Sequence, residues 1–340
     1  MKIARYLPSW VKQYFQSEVE SRGYVIPRDL PPVDLRELSS HPIDVMKRAK
    51  QSPVLLNIPL THCRALGLMA YPCNGETRHP FIRALKEYAQ SGIEDYQLSE
   101  LKKYYDNVQP NNGAEYLGLK DPQASRLVNQ SPLCMVEPWI GSAAEKYKAR
   151  KLQTTWEEAR ANGLKQERNL EWIFIGPLSE ARGALELRRL IRLYQSIQTK
   201  GYLRSDDIDG DMTGFLLVRE DEFRVVINRG QHRVCALAAH GYATVPIRFL
   251  GRAPSLVIRD EVKQWPGVTS GSLSADEALE IFDRMFEGHQ PPAYRHCYPD
   301  RNGSTEKAAV IQAFGPAAPR GAARGSLPGS AKRPADRENP

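Results

Sequence analysis

The hydrophobic positions between residues 172 and 250 change their period several times, which predicts alternating helices and strands. A buried run at residues 215–218 and an alternating run at residues 223–227 predict two strands. Alternation at residues 245–249 predicts a third, and Pro246 favours a sheet edge for it. A helix is predicted over residues 183–200, after Ser179 and Glu180 and before Gly201, and another from residue 234 to Gly241. The first of these helices has an apolar stripe of Leu187, Leu190, Ile191, Tyr194 and Ile197.

The first half of the chain has helical patterns separated by irregular segments. A helix is predicted after Pro8 as far as residue 22, followed by a Pro-rich arm with one short helix at residues 42–49. His79 and Pro80 begin a helix that ends near residue 91, and residues 98–108 form the next one. Capping boxes at residues 142–145 and 274–277 begin two further helices, which end near Gly163 and at Gly288.

These patterns predict an α+β (mixed α/β) protein with a helical N-terminal region. We expect an N-terminal helix and extended arm over residues 1–60 and a helical region over residues 61–165. The alternating domain, with its C-terminal helix, should cover residues 170–290. A tail over residues 300–340 should be disordered, because 15 of the 26 residues from 315 to 340 are Gly, Pro or Ala.

Composition places the chain among ordinary globular proteins, with 41% hydrophobic and 26% charged residues in a total of 340. The net charge is +7, but residues 301–340 hold seven basic against three acidic residues and so contribute +4 of it. A basic tail and a Lys/Arg-rich helix at residues 146–160 leave nucleic acid open as a partner. This alternative has the least support, because no helix that could read bases is recognisable.

The cysteines and the lengths of the apolar runs indicate the cellular compartment and limit the kinds of site that we expect. Five cysteines, none in Cys-x-x-Cys spacing, predict neither a disulfide framework nor a metal site. No apolar run reaches 18 residues, so no transmembrane helix is expected. The N-terminus does not resemble a signal peptide, and we expect a cytoplasmic protein.

The sequence Asn-Arg-Gly-Gln-His-Arg at residues 228–233 joins a predicted strand to a predicted helix. A helix N-terminus presents free N–H groups and the positive end of the helix dipole to an anion. His232 and Arg233 both lie in that first turn, where cations are unfavourable unless something negative is bound. Phosphate is therefore one interpretation of this turn. A strand-to-helix corner with a surface arginine and a packed histidine is the other.

The segment resembles the signature of the ParB/sulfiredoxin superfamily. That signature has a hydrophobic strand, Gly-x-His-Arg, a small apolar helix and Gly-Tyr-x-x-Val-Pro, which match residues 227–246. Upstream, residues 193–202 are similar to the Leu-x-x-Ser-Ile helix and the glycine that follows it in the same superfamily. The resemblance covers about 80 residues.

The resemblance implies that Gly230, Gln231, His232 and Arg233 bind the phosphates of ATP or CTP with Mg²⁺. In an enzyme of this kind, a carboxylate must act as base or metal ligand, and Glu180 and Glu186 are the candidates. The acidic residues of the following loop are alternatives: Asp206, Asp207, Asp209 and Asp211. A salt bridge to Arg182 or Arg189 is the structural alternative for Glu186.

Three departures separate the chain from the individual branches of the superfamily. Sulfiredoxins have a catalytic cysteine where this chain has Gln231, and free-serine kinases have an acidic residue where it has Arg229. Chromosome-partition proteins continue with a second nucleotide-binding helix and a helix-turn-helix, and neither is recognisable after Leu250.

Two functions from different classes therefore stay open beside nucleic-acid binding. The chain is an ATP- or CTP-dependent phosphotransferase or nucleotidase acting on an unknown small-molecule or protein acceptor, or it is a non-catalytic nucleotide-sensing or protein-interaction module.

Overall fold

A computed structural model describes residues 31–37, 41–49, 52–74, 77–141, 144–164, 171–204, 210–250 and 255–297. The predicted helix at residues 8–22 and the predicted tail at residues 300–340 lie outside these ranges. So do Ser142 of the first capping box and the acidic residues Asp206, Asp207 and Asp209. By their contacts, all the described residues belong to one compact unit.

The helices that were predicted within the described residues begin and end close to the expected positions, whereas α4 and α8 in the following list had no predicted counterpart. In chain order they are α1 (Pro42–Ala49), α2 (Pro80–Ser91), α3 (Glu100–Asn107), α4 (Gly113–Leu117), α5 (Ala144–Ala161), α6 (Glu180–Lys200), α7 (Gln231–Ala239), α8 (Pro266–Thr269) and α9 (Ala275–Glu287). Ser179 caps α6 by accepting a hydrogen bond from the backbone N–H of Arg182. Ser274 and Glu277 form the predicted capping box of α9, and Gly288 ends that helix with φ 74°. These local signals are confirmed.

The strands form one sheet that mixes parallel and antiparallel pairs. They are β1 (Val33–Asp34), β2 (Val54–Pro59), β3 (Cys63–Ala65), β4 (Tyr71–Pro72), β5 (Thr213–Arg219), β6 (Glu222–Arg229), β7 (Thr244–Phe249) and β8 (Leu256–Ile258). Their order across the sheet is β1-β2-β7-β5-β6-β3-β4, and β8 pairs with β5. Neighbours β5 and β6 are antiparallel, whereas β3 and β6 are parallel. The mixed α/β class is confirmed.

Strands β2, β3 and β4 come from segments in which the pattern predicted an arm and a helical region. In the structure, β2 pairs antiparallel with β7 along its whole length, and β3 pairs parallel with β6. Each of these strands is short and begins or ends near prolines. Its sequence therefore has too few residues to show the alternation of hydrophobic and polar positions that identifies a strand. The early and late parts of the chain therefore contribute strands to a common sheet.

The edge position predicted for the strand containing Pro246 is wrong, because β7 lies between β2 and β5. Pro246 is opposite Asn57 of β2. The pairing of β7 with β5 involves Arg248 and Phe249, at the far end of β7. Pro246 has no backbone N–H to donate, and it is tolerated here because the hydrogen-bond ladder between β7 and β5 does not reach it.

Helix α7 packs against α2 and α6, and its apolar residues join the core formed with the sheet. Val234 of α7, Leu190 of α6 and Phe81 of α2 have no exposed surface. Burial of such a side chain stabilises the fold by about 1.5–3 kcal/mol. The core therefore holds the first turn of α7 in a fixed place beside α6. Among the helices that the structure describes, none is both long and apolar enough to cross a membrane.

Candidate functional site

The turn between β6 and α7 depends on Gly230. Its backbone is left-handed, with φ 81° and ψ 24°, and it is the N-cap of α7. A Cβ atom at this position would lie 2.7 Å from Cγ and 3.2 Å from Cα of Met212. Both the backbone angle and this contact therefore favour glycine. Met212 occupies the space in which a Cβ atom of residue 230 would lie. The positive φ is the main reason why this position needs glycine.

The N-terminus of α7 has no side-chain cap. Gly230 has no side chain to supply one. In the described part of the chain, no side chain accepts a hydrogen bond from the backbone N–H of Gln231, His232 or Arg233. These N–H groups and the helix dipole attract an anion to this end of α7. The predicted strand–turn–helix context of the turn is confirmed.

Gln231 directs its side chain into the core. Its Nε2 donates to the backbone carbonyl of Ile227 at 2.5 Å, and its Oε1 accepts from the backbone N–H of Leu66 at 2.7 Å. Leu66 is fully buried and has a positive φ of 66°, a conformation that a leucine seldom adopts. Gln231 therefore connects the turn to the loop after β3, and its side chain does not lie at the entrance of the turn.

His232 points towards α6 and contacts Glu186. The distance from its Nε2 to Oε2 of Glu186 is 2.8 Å, and its ring stacks on Phe81 with centroids 5.0 Å apart. Oε1 of Glu186 also lies 2.9 Å from Arg182 and 3.0 Å from Arg189. Three basic side chains thus surround one carboxylate at the junction of α2, α6 and α7.

Glu186 stays ionised at neutral pH in this environment. Burial by itself raises the pKa of its carboxyl, but the hydrogen bond from His232 and the charges of His232, Arg189 and Arg182 outweigh burial and lower the pKa to about 2. An ionised carboxylate only accepts hydrogen bonds, so Nε2 of His232 must have the hydrogen. The pair fixes the orientation of the imidazole in the first turn of α7.

Arg233 points the other way, towards a group of arginines around Asp211. Its Nη2 donates to the backbone carbonyl of Asp211 at 3.2 Å. The Asp211 carboxylate lies 2.8 Å from Nε of Arg204 and 3.4 Å from Nη1 of Arg248. Asp211 is followed by Met212, whose side chain lies against Gly230. We call Arg204, Asp211, Arg233 and Arg248 the arginine cluster, and it lies beside the N-terminus of α7.

The arginine cluster produces a positive field that reaches Tyr202. Burial raises the pKa of the Tyr202 phenol, and the charge of Arg233 is the largest effect that opposes this rise. Arg204 and Arg36 act in the same direction, whereas Asp211 acts against them.

The candidate carboxylates lie apart from each other. Glu180 is the first residue of α6 and is exposed, while Glu186 has no exposed surface. Six residues of helix separate them by about 9 Å along the axis and place them on different faces. The third described candidate, Asp211, belongs to the arginine cluster. The salt bridges predicted as the alternative for Glu186 are present, with both Arg182 and Arg189.

Two arginines of the cluster were missed in the sequence. Arg248 lies in β7 between the buried residues Ile247 and Phe249, and it is only 3% exposed. A charged residue within such an apolar strand is a signal that could have been used, because buried charges need partners. Arg204 follows the end of α6, and its sequence gives no comparable signal.

The described residues do not supply a magnesium site. No group of three or more His, Cys, Asp or Glu side chains among them is arranged to hold a metal ion. Glu186 and Asp211 are each engaged by two or more basic side chains.

No protein-family model, no curated protein and no solved structure matches this chain.

Proposed function

We propose that this protein binds a nucleotide through its phosphates at the N-terminus of α7, as the ParB/sulfiredoxin-like signature implies. One observation carries the proposal: three arginines meet around Asp211 beside a helix N-terminus that has no side-chain cap. The N–H groups of the first turn and the guanidinium of Arg233 would bind the phosphate oxygens together.

The arginine cluster adds guanidinium groups to this helix N-terminus. Arg233 lies in the first turn of α7 and donates to the backbone carbonyl of Asp211. Arg248 and Asp211 are only 3% and 2% exposed, so water screens their charges poorly. Arginine binds phosphate oxygens in a bidentate geometry.

Within the predicted turn, the four residues would have separate roles. Gly230 shapes the turn, Gln231 and His232 attach it to the core, and Arg233 contacts the ligand. Contact between His232 and phosphate is not needed for this arrangement, because its Nε2 is engaged by Glu186.

Isothermal titration calorimetry with ATP, CTP and inorganic triphosphate tests the proposal. We expect both nucleotides to bind, and thermal unfolding at about 100 times the dissociation constant should show roughly 2.7 kcal/mol of added stability. Binding of inorganic triphosphate alone would indicate an anion site without nucleotide recognition. The absence of binding by all three ligands would refute the proposal.

A non-catalytic sensing or interaction module is the second candidate, and the state of the carboxylates favours it over an enzyme. Glu186 is surrounded by three donors and Asp211 by two arginines, so neither is available as a base. Glu180 is exposed at the start of α6. Incubation with radiolabelled ATP or CTP separates the two: release or transfer of label that is lost in Glu180→Gln would establish a phosphotransferase or nucleotidase.

A further inference from the structure

A cavity lies between residues 126–141 and residues 266–273, and none of the residues of the arginine cluster lines it. Its volume is about 570 Å³, which is in the range of small-molecule sites. Most of its wall is apolar, and the larger apolar residues are Leu117, Leu127, Met135, Ile140, Pro266 and Leu273. Such a wall suits the body of an apolar molecule.

Glu137 is the acidic residue in this wall. No residue in the described part of the chain, other than Glu137 itself, donates a hydrogen bond to its carboxyl, and none forms a salt bridge with it. Burial raises the pKa of Glu137, while its own backbone N–H and the charge of Lys151 oppose the rise. The carboxyl therefore lies in a poorly solvated place without a side-chain partner.

Lys151 lies near Glu137 but is committed to other groups. Its Nζ donates to the backbone carbonyl of Met135 at 2.8 Å and lies 3.7 Å from the ring centroid of Trp172. It does not line the cavity. Its amino group is thus held by Met135 and Trp172 outside the lining of the cavity, whereas Glu137 is part of that lining.

We propose that this cavity binds a small apolar molecule that has an amine group, with the apolar wall holding its body and Glu137 binding the ammonium. A poorly solvated carboxylate without a side-chain partner is costly, and a cation from the ligand would offset that cost. Arg126 also borders the cavity, but it is exposed and its charge acts on Glu277. The geometry therefore favours a cationic over an anionic ligand.

Three phenyl compounds of similar size test the proposal on the full chain: 2-phenylethylamine, 2-phenylethanol and 3-phenylpropionate. Binding is measured by titration with protein-observed NMR, so that the shifted resonances also report the location. We expect the amine to bind most tightly, by about tenfold or more over the alcohol, as for a hydrogen bond between charged groups. The carboxylate should bind most weakly, and the shifts should be confined to residues 126–141 and 266–273.

Two substitutions distinguish the contribution of the Glu137 carboxylate to binding from that of the apolar wall. Glu137→Gln should remove the preference for the amine while 2-phenylethanol still binds, and Leu127→Trp, which fills the cavity, should weaken all three compounds. Glu94→Gln, at an exposed position, is the matched control and should behave as the wild type. Equal binding of the three compounds, an amine preference that persists in Glu137→Gln, or no binding to the folded wild type would each overturn the proposal.

Discussion

The Nε2 atom of His232 lies 2.8 Å from Oε2 of Glu186, a carboxylate with no exposed surface. This contact joins the first turn of α7 to the middle of α6, although 46 residues separate the two positions. It determines where the imidazole points, and it leaves Arg233, one residue later, to face the arginine cluster. The orientation of the candidate phosphate turn thus depends on the contact of His232 with a buried carboxylate.

Glu186→Gln should lower stability at neutral pH and change the response to acid. The pKa of Glu186 is about 2 in the fold, against an ordinary value of 4.5, so its ionisation stabilises the fold above about pH 4.5. This contribution, on the order of 3 kcal/mol, is lost as the pH falls from about 4.5 towards 2. Urea unfolding at a series of pH values should show wild type and variant converging at low pH.

Glu180→Gln is the matched control for that experiment, because Glu180 lies on the same helix but is exposed. Its stability should follow the wild type within about 0.5 kcal/mol at every pH. If the stability of Glu186→Gln and that of the wild type respond to acid in parallel, the ionised Glu186 carboxylate does not stabilise the fold in the way described.

Arg233→Ala should weaken nucleotide binding while the fold remains intact. The loss of a charged hydrogen bond to phosphate corresponds to about 1.5–3 kcal/mol of binding free energy. Arg233→Lys should recover only part of the affinity, since an ammonium cannot bind two phosphate oxygens side by side. Calorimetry with ATP and CTP measures both variants. Arg188→Ala, an exposed position on α6, should bind as the wild type does, and unchanged affinity in Arg233→Ala would remove this arginine from the site.

Gly230→Ala should reduce both stability and affinity. The positive φ alone should cost about 1 kcal/mol, and the contact with Met212 adds to it. A double-mutant cycle with Met212→Ala separates the two: the 2.7 Å contact with Cγ of Met212 should disappear, and the backbone cost should remain. Affinity is measured well below the melting temperature of the variant. Full affinity in folded Gly230→Ala protein would exclude a phosphate cradle at this turn.

Gln231→Leu should destabilise the fold without a separate loss of affinity. The substitution leaves the Leu66 N–H and the Ile227 carbonyl without their buried partner, which costs about 1–3 kcal/mol for each group. Gln231→Glu keeps an acceptor for Leu66, but when ionised it places a buried charge against the Ile227 carbonyl, so it should also destabilise the fold at neutral pH. Chemical unfolding and calorimetry are compared for both. A selective loss of affinity, with stability unchanged, would place Gln231 in the ligand site instead of the core.

The sequence by itself determined the elements whose signals are local. Helix α2 was predicted from His79 and Pro80, helix α6 from Ser179 and its apolar stripe, and helix α9 from its capping box. These predictions were confirmed because a cap and an amphipathic stripe act within a few residues of the chain. The strand–turn–helix order around Gly230 belongs to the same group, since strand alternation and the helical pattern that follows it are local signals.

Only the tertiary structure decided which side chains of the turn face a ligand. Three consecutive residues contact three partners that are distant in sequence: Gln231 contacts Leu66, His232 contacts Glu186 and Arg233 contacts Asp211. The inclusion of β2 to β4 in the sheet was decided in the same way. Pairing and burial between distant segments depend on the whole core, and no periodicity within one segment encodes its partner.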